Sequence, residues 1–454
     1  MTLVEQLAAF VVRASYDELS PATRDQLKIR ILDSLGCAIG ALNGEPIQLI
    51  RAHTEDFGGA KHCSLIGAGR TAPDRAAFYN SALVRYLDFN DSFLASGETC
   101  HPSDNFGSVL AACEYAGRDL LAALAVAYQV QCRLSEVAPV RAKGFDHATQ
   151  GAYAVAAGVS KALGLSQAQA ANAIAIAGTA FNALRVTRTG TLSHWKGLAY
   201  PNTAFGATHV AFLAGRGITG PPEVFEGNKG FMDAIVGRFE IEWSKEDLER
   251  VTRTIVKKYN AEIHSQSAIE GTLELKHEHH VAGADVERVE IEIFDVAHNI
   301  IGGGEEGDKT VVRTKEQADH SLQYMVAAAI LDDQVMPEQY LPERIQRSDV
   351  QNLLRKIVVR ASSAYSLKFP NAMPCRIVIH LRDGRTLTKE KQDYEGFHTR
   401  PMTWRTVIDK FERLSGAFAD AALCKEILNA VARLESIQTV DLTELLTQVR
   451  VVRT

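Results

Sequence analysis

The chain has 454 residues, enough at about 150 per domain for three ordinary domains or two large ones. Its 49 basic and 55 acidic side chains leave a net charge of −6, which argues against the basic surplus of a nucleic-acid binder. With 46% hydrophobic and 23% charged residues, it reads as an ordinary globular chain with a large core, not a disordered one.

The first nineteen residues carry Glu5, Asp17 and Glu18 and lack a basic region followed by an apolar run. No signal peptide is expected there, and a cytoplasmic location is. Residues 22–40 place Leu27, Ile31, Leu32, Leu35 and Ile39 at helical spacing before Gly40. Residues 107–136 and 149–163 continue the pattern, and Ser166 reads as the N-cap of a further helix. The stretch nearest to a membrane span, 168–184, is interrupted by Gln169, Asn172, Thr179 and Asn182, so no span is expected. The period changes at Val286 to Ile293, where charged and apolar residues largely alternate as in a half-buried strand. Residues 315–331 and 349–357 read as helices, and residues 376–381 as a strand running into the hairpin turn Asp383-Gly384. Helix returns at 403–416 and 419–434. These periods predict a mainly α fold with an inserted α+β domain. The expected parts are a helical-bundle domain, 1–264 and 401–454, and a smaller α+β lid domain, 265–400. A cleft between two such domains is a common place for a small-molecule site.

Five polar clusters stand out. The first runs from Arg85 to Phe93 with Asp88, Asn90, Asp91 and Ser92, followed by Cys100-His101-Pro102-Ser103. It is either an Asx-capped loop or a pair of carboxylates beside a histidine. The second, Lys143-Gly144-Phe145-Asp146-His147, precedes a helix start. The third is His194-Trp195-Lys196-Gly197-Leu198-Ala199-Tyr200-Pro201-Asn202, ahead of a helix start broken by proline; Lys196 is either a carboxylate anchor or a solvated lysine. The fourth, Lys257-Lys258-Tyr259 with Glu262-Ile263-His264-Ser265, lies at the expected domain junction, where polar residues serve a hinge or a site. The fifth, Asp319-His320-Ser321-Leu322-Gln323-Tyr324, opens a helix. His277-Glu278-His279-His280 lacks the H-E-x-x-H spacing and reads as a solvated helix end. Gly302-Gly303-Gly304 lacks G-K-[ST] and reads as a mobile loop. The seven cysteines are scattered without a C-x-x-C pair, which disfavours an iron–sulfur cluster or structural zinc.

Leu32 to Cys37, Asp88 to Ser92 with His101-Pro102-Ser103, Gly144 to His147, Lys196 to Asn202, Lys258 to Ser267 and Ala318 to Ser321 together resemble the MmgE/PrpD family, in its order and spacing. The resemblance spans residues 5–440 or so. It implies a large helical domain with an α+β lid, a homodimer, and no metal or other cofactor. It carries over Asp88, His101, His147, Lys196 and His264 as catalytic residues and Ser92, Lys258 and Tyr324 as substrate-binding ones. Where the family often has Asp-Asp-Thr, this chain has Asn90-Asp91-Ser92, keeping the hydroxyl and losing a methyl.

The implied activity is that of a cofactor-independent lyase on a small di- or tricarboxylate, foremost 2-methylcitrate dehydration. Cis-aconitate decarboxylation and iminodisuccinate epimerisation share its opening step, proton abstraction beside a carboxylate. The residues suit that chemistry: lysines bind carboxylates, and imidazoles take and give protons near neutral pH. A non-catalytic helical scaffold is the competing reading, and the intact Asp88, His101, His147, Lys196 and His264 argue against it.

Overall fold

The computed structural model describes residues 1–190 and 192–450 and is mainly α with some β. It divides into two compact units: the first is Met1–Arg188, His194–Val256 and Thr403–Thr454, the second Thr189–Ser193 and Lys257–Met402. Residues 451–454, assigned above to the helical part, lie outside the described residues. The second unit starts at Lys257 rather than at 265, so Lys258 and His264 belong to it. The cause is hydrogen bonding: Asn260 N–H donates to Val335 O at 2.9 Å and Glu262 N–H to Asp319 O at 3.2 Å. Those bonds fasten the segment before the strand period begins.

The first unit is built from α1 (Leu3–Arg13), α2 (Pro21–Gly40), α3 (Glu45–Phe57), α4 (Pro73–Tyr86), α5 (Phe106–Ala116), α6 (Leu120–Val137), α7 (Ala148–Leu163), α8 (Gln167–Ala180) and α9 (Trp195–Gly215). Two short hairpins interrupt them, β1 (Cys63–Ser64) with β2 (Arg70–Thr71) and β3 (Phe93–Ala95) with β4 (Glu98–Cys100). Helix α7 is central and packs against α5, α6, α8 and α9. It can do so because its facing positions are small. A Cβ added at Gly151 would stand 2.4 Å from the Tyr200 ring of α9, and one at Gly158 2.8 Å from Ala127 of α6.

The helical run expected at 107–136 is two helices. Gly117 takes a left-handed φ of 61°, and the Asp119 side chain accepts the Leu121 N–H at 2.8 Å to start α6. Helix α9 is not broken before Pro201 but runs through it from Trp195. Burial of Tyr200, Ala204, Ala207 and Ala211 along one side outweighs the single bond that proline cannot donate. Ser166 caps α8 as expected, accepting from Gln169 N–H at 3.3 Å.

The second unit opens with α10 (Gln266–His279) and carries a four-stranded sheet in the order β6-β5-β7-β8, from β5 (Val286–Ile293), β6 (Ile357–Ala361), β7 (Cys375–Leu381) and β8 (Thr386–Lys391). Strand β5 runs parallel to β6 and antiparallel to β7, with Val289 opposite Ile357 and Ile379. The β7–β8 hairpin turns at Asp383-Gly384, where Gly384 takes φ 90°. Helices α10 and α11 (Leu322–Asp332) pack on this sheet and on each other. The helix expected at 315–331 is broken after Ala318, because Ser321 caps α11 by accepting Tyr324 N–H at 3.1 Å. Asp319 and His320 therefore occupy an elbow. The helix expected at 349–357 ends at Leu354, and Ile357 already belongs to β6.

The chain returns to the first unit with α12 (Trp404–Ser415), α13 (Ala421–Ala432) and α14 (Thr439–Leu446), of which α12 lies along α2. Among the described residues no helix is long and apolar enough to cross a membrane. All seven cysteines are buried, and none is in a disulfide.

Candidate functional site

In the first unit a polar cluster gathers around the turn Pro102–Asn105, between the ends of α4, α7 and α9. Helix α4 ends at Tyr86, and two residues on, Asp88 takes a left-handed φ of 55°. That backbone turns its carboxylate onto two cations: Arg85 Nη1 on one oxygen and Lys196 Nζ, 3.5 Å away, on the other. All three side chains are about 95% buried or more. Arg85 Nε also faces Asp104 Oδ2 at 3.8 Å. Burial works against the guanidinium charge, but Asp88 and Asp104 outweigh it and push the arginine above its ordinary range.

His101 follows the β3–β4 hairpin. Its Nδ1 is 2.8 Å from Asp91 O and 3.0 Å from Ser92 Oγ. A carbonyl oxygen only accepts, so Nδ1 carries the proton and Nε2 is the basic nitrogen of the neutral ring. Asp91 is fully buried, accepting Ser103 N–H at 3.0 Å and Tyr128 O–H at 2.8 Å. Burial pushes its carboxyl up to about 6 against the pull of those bonds.

His147 precedes α7. Its Nε2 is 3.5 Å from Asp104 Oδ2 and its Nδ1 3.4 Å from Asp146 Oδ1. Burial would raise the Asp146 carboxyl, but Arg188 and then His147 overcome it and hold it below the usual range. The His147 ring meets His101 edge-on at 5.3 Å and stacks on Tyr200 at 5.7 Å. The Tyr200 hydroxyl lies 3.0 Å from both the Asn105 and Gln131 side-chain oxygens, which fixes the platform under the imidazole.

In the second unit His264 lies in the turn just before α10, 1% exposed, with Nδ1 2.7 Å from Glu262 Oε1. Burial would raise Glu262, but the charge and hydrogen bond of His264 hold it down at about 2. Asp319 Oδ1 lies 2.6 Å from His320 Nδ1, and its other oxygen accepts Lys315 Nζ at 2.7 Å.

The first unit thus brings together Asp88, Ser92, His101, His147 and Lys196, whereas His264, Lys258 and Tyr324 lie in the second. The three residues expected to bind substrate each have a partner within their own unit. The Ser92 hydroxyl is fully buried and engaged with His101, because Ser92 is bridged to Ile255 backbone-to-backbone. Lys258 Nζ is bound to Glu395 at 2.7 Å and Glu270 at 3.4 Å. The Tyr324 hydroxyl donates to Gln339 O inside the core, and burial pushes its pKa up, which keeps it protonated. Sequence reasoning passed over Arg85, Asp146, Tyr200 and Glu262, all of which stand inside the polar clusters, and Asp104, one residue beyond one of them. Their signal was position next to a marked residue; what was missing was the partner.

Compared with known sequences, residues 5–244 match the model of the MmgE/PrpD N-terminal domain and residues 259–436 that of the MmgE/PrpD C-terminal domain. The chain is 27% identical to a 2-methylcitrate dehydratase of Salmonella typhi over 85% of this chain and 84% of that protein. It is 26% identical to a mitochondrial 2-methylcitrate dehydratase of Yarrowia lipolytica over 93% and 86% of the two chains. To the cis-aconitate decarboxylase of Mus musculus it is 25% identical, over 96% and 91%.

Proposed function

The chain belongs to the MmgE/PrpD family, and from that premise we propose that it is a hydro-lyase acting on 2-methylcitrate or a close tricarboxylate. The observation that carries the reading is the buried pairing of two imidazoles, 5.3 Å apart, with the cations Arg85 and Lys196 gathered on Asp88. A carboxylate substrate is drawn by cations in a desolvated setting, where their field is least screened. Removing the proton beside a carboxylate builds negative charge that Lys196 and Arg85 offset. The carbon proton goes to a basic nitrogen, a proton goes from an acid to the departing hydroxyl, and water leaves as the carbon–carbon double bond forms. His101 and His147 belong to that proton-moving machinery. A carboxylate oxygen lies within 3.5 Å of each ring nitrogen of His147. His264 of the second unit also stands beside a carboxylate. Catalysis by a homodimer, without a metal, is part of the same proposal.

Proton NMR of the protein with 2-methylcitrate, citrate, cis-aconitate and iminodisuccinate tests the reading. Dehydration of 2-methylcitrate is the expected result. Loss of carbon dioxide from cis-aconitate would instead assign the decarboxylase activity, and inertness toward all four would favour the scaffold. Light scattering at the column exit gives the oligomeric state, expected at twice the chain mass.

A further inference from the structure

Two carboxylate–histidine pairs lie in the second unit, Glu262 with His264 and Asp319 with His320. The first is the better defined. One Glu262 oxygen accepts the His264 backbone N–H at 2.8 Å, and the other lies 2.7 Å from Nδ1 of the same residue. The carboxylate is therefore clamped at both ends by the residue it holds. An ionised carboxylate only accepts, so the proton between them belongs to Nδ1. Nε2 is buried and has no hydrogen-bond partner among the described residues. A buried nitrogen left without a partner is costly unless a ligand or reaction uses it. The ring plane is set by Phe294 at 5.6 Å and Phe369 at 5.5 Å, which stack on each other at 4.5 Å. The charged and titratable neighbours of Glu262 are His320 and Lys257, and Lys309 feels both Glu262 and Asp319.

We propose that Glu262 is the positioning residue that locks His264 as its Nδ1–H tautomer, so that Nε2 accepts the carbon-bound proton of the substrate. This rests on the lyase reading above. In the step, the C–H bond breaks, its proton bonds to Nε2, and its electron pair becomes the new double bond as the protonated hydroxyl departs. The imidazolium so formed is stabilised by Glu262, and no oxidant or further reactant is needed.

The test uses the full chain labelled with ¹⁵N-histidine, with the His264 ring signals assigned by their loss in His264→Gln. The wild-type ring is expected to carry its proton on Nδ1, Glu262→Gln to give a mixture of tautomers, and Glu262→Asp to keep Nδ1–H. With the substrate that the wild type turns over, Glu262→Gln should lower kcat by about 10²-fold or more while KM stays within about twofold. Glu262→Asp should restore at least about a tenth of the wild-type kcat. A wild-type ring protonated on Nε2 overturns the proposal. So does a folded Glu262→Gln that keeps the wild-type tautomer and more than about a third of kcat. If Glu262→Gln does not fold, the wild-type and Glu262→Asp spectra still decide. If none of the four carboxylates is turned over, the lyase reading fails by itself, and the tautomer spectra still decide whether Glu262 positions His264.

Discussion

Asp88 holds a left-handed backbone at φ 55° without being a glycine, a conformation that costs of order 1 kcal/mol. The strain is offset by the two cations that its carboxylate gathers, Arg85 and Lys196. Lys196→Ala is therefore expected to raise KM for the carboxylate by about tenfold or more while the chain stays folded; steady-state kinetics at varied substrate checks this, and an unchanged KM would return Lys196 to a packing role. The polar edges of His101 and His147 face carboxylate, carbonyl or hydroxyl groups. His101→Ala and His147→Ala should each cut turnover by about 10²- to 10⁴-fold and leave the melting temperature within a few degrees. A folded variant that kept more than about a third of wild-type turnover would remove that histidine from the mechanism.

At the scale of elements, the cluster depends on how closely helices approach. Gly151 of α7 lets the Tyr200 ring of α9 lie against the α7 backbone, and His147 stacks on that ring. Gly151→Ala puts a methyl where the ring stands, so Tyr200 must give up its place between Asn105 and Gln131. The expected loss of stability is about 1–3 kcal/mol by urea unfolding, with a fall in kcat as the ring under His147 shifts. Wild-type kcat in a destabilised Gly151→Ala variant would show that the stacking does not position His147. The loop carrying Asp88 to Ser92 is fastened from the far end of the sequence. Lys410 of α12 donates to Phe89 O at 2.8 Å, lies 3.7 Å above the Phe89 ring, and pairs with buried Asp33 of α2. This explains the buried acid in Leu32-Asp33-Ser34 as a structural anchor rather than a chemical group.

Across the whole molecule, burial and ion pairing shift individual carboxylates in both directions, so acid removes stability at some and restores it at others. Glu262 and Glu270 of the second unit are both held down at about 2, Glu270 by Arg400 and Lys391 against its burial. Their stabilisation is present above their unfolded value of 4.5 and is lost as pH falls toward 2. Asp91 of the first unit is raised from 3.8 to about 6, so its contribution is full below 3.8 and is lost as pH rises through about 6. All three tryptophans, Trp195, Trp243 and Trp404, lie in the first unit. On acidification from pH 4.5 to 2 the second unit should lose stability, read by far-UV circular dichroism rather than by tryptophan fluorescence; a spectrum unchanged across that range would refute this. The scattered cysteines and the absent H-E-x-x-H spacing also predict that turnover survives EDTA. Complete loss, restored by one divalent metal, would contradict it.

What the sequence by itself determined is local or carried by motif. Helical period and caps marked α2, α7 and α8, alternation marked β5, and Asp-Gly marked the β7–β8 turn, because each signal lies within a few residues of its effect. The motif order gave the family. Only the tertiary structure decided which polar residues have partners, since those partners lie far away in the chain. Asp88 meets Lys196 across 108 positions, and Lys258 meets Glu395 across 137. Both lysines thus find carboxylates that no local pattern pairs with them. Even over nine and fifteen positions the packed fold decides the contact, turning the hydroxyls of Ser92 and Tyr324 inward toward His101 and Gln339. The burial that makes an unpaired polar atom costly comes from the packed fold, and no local pattern encodes it.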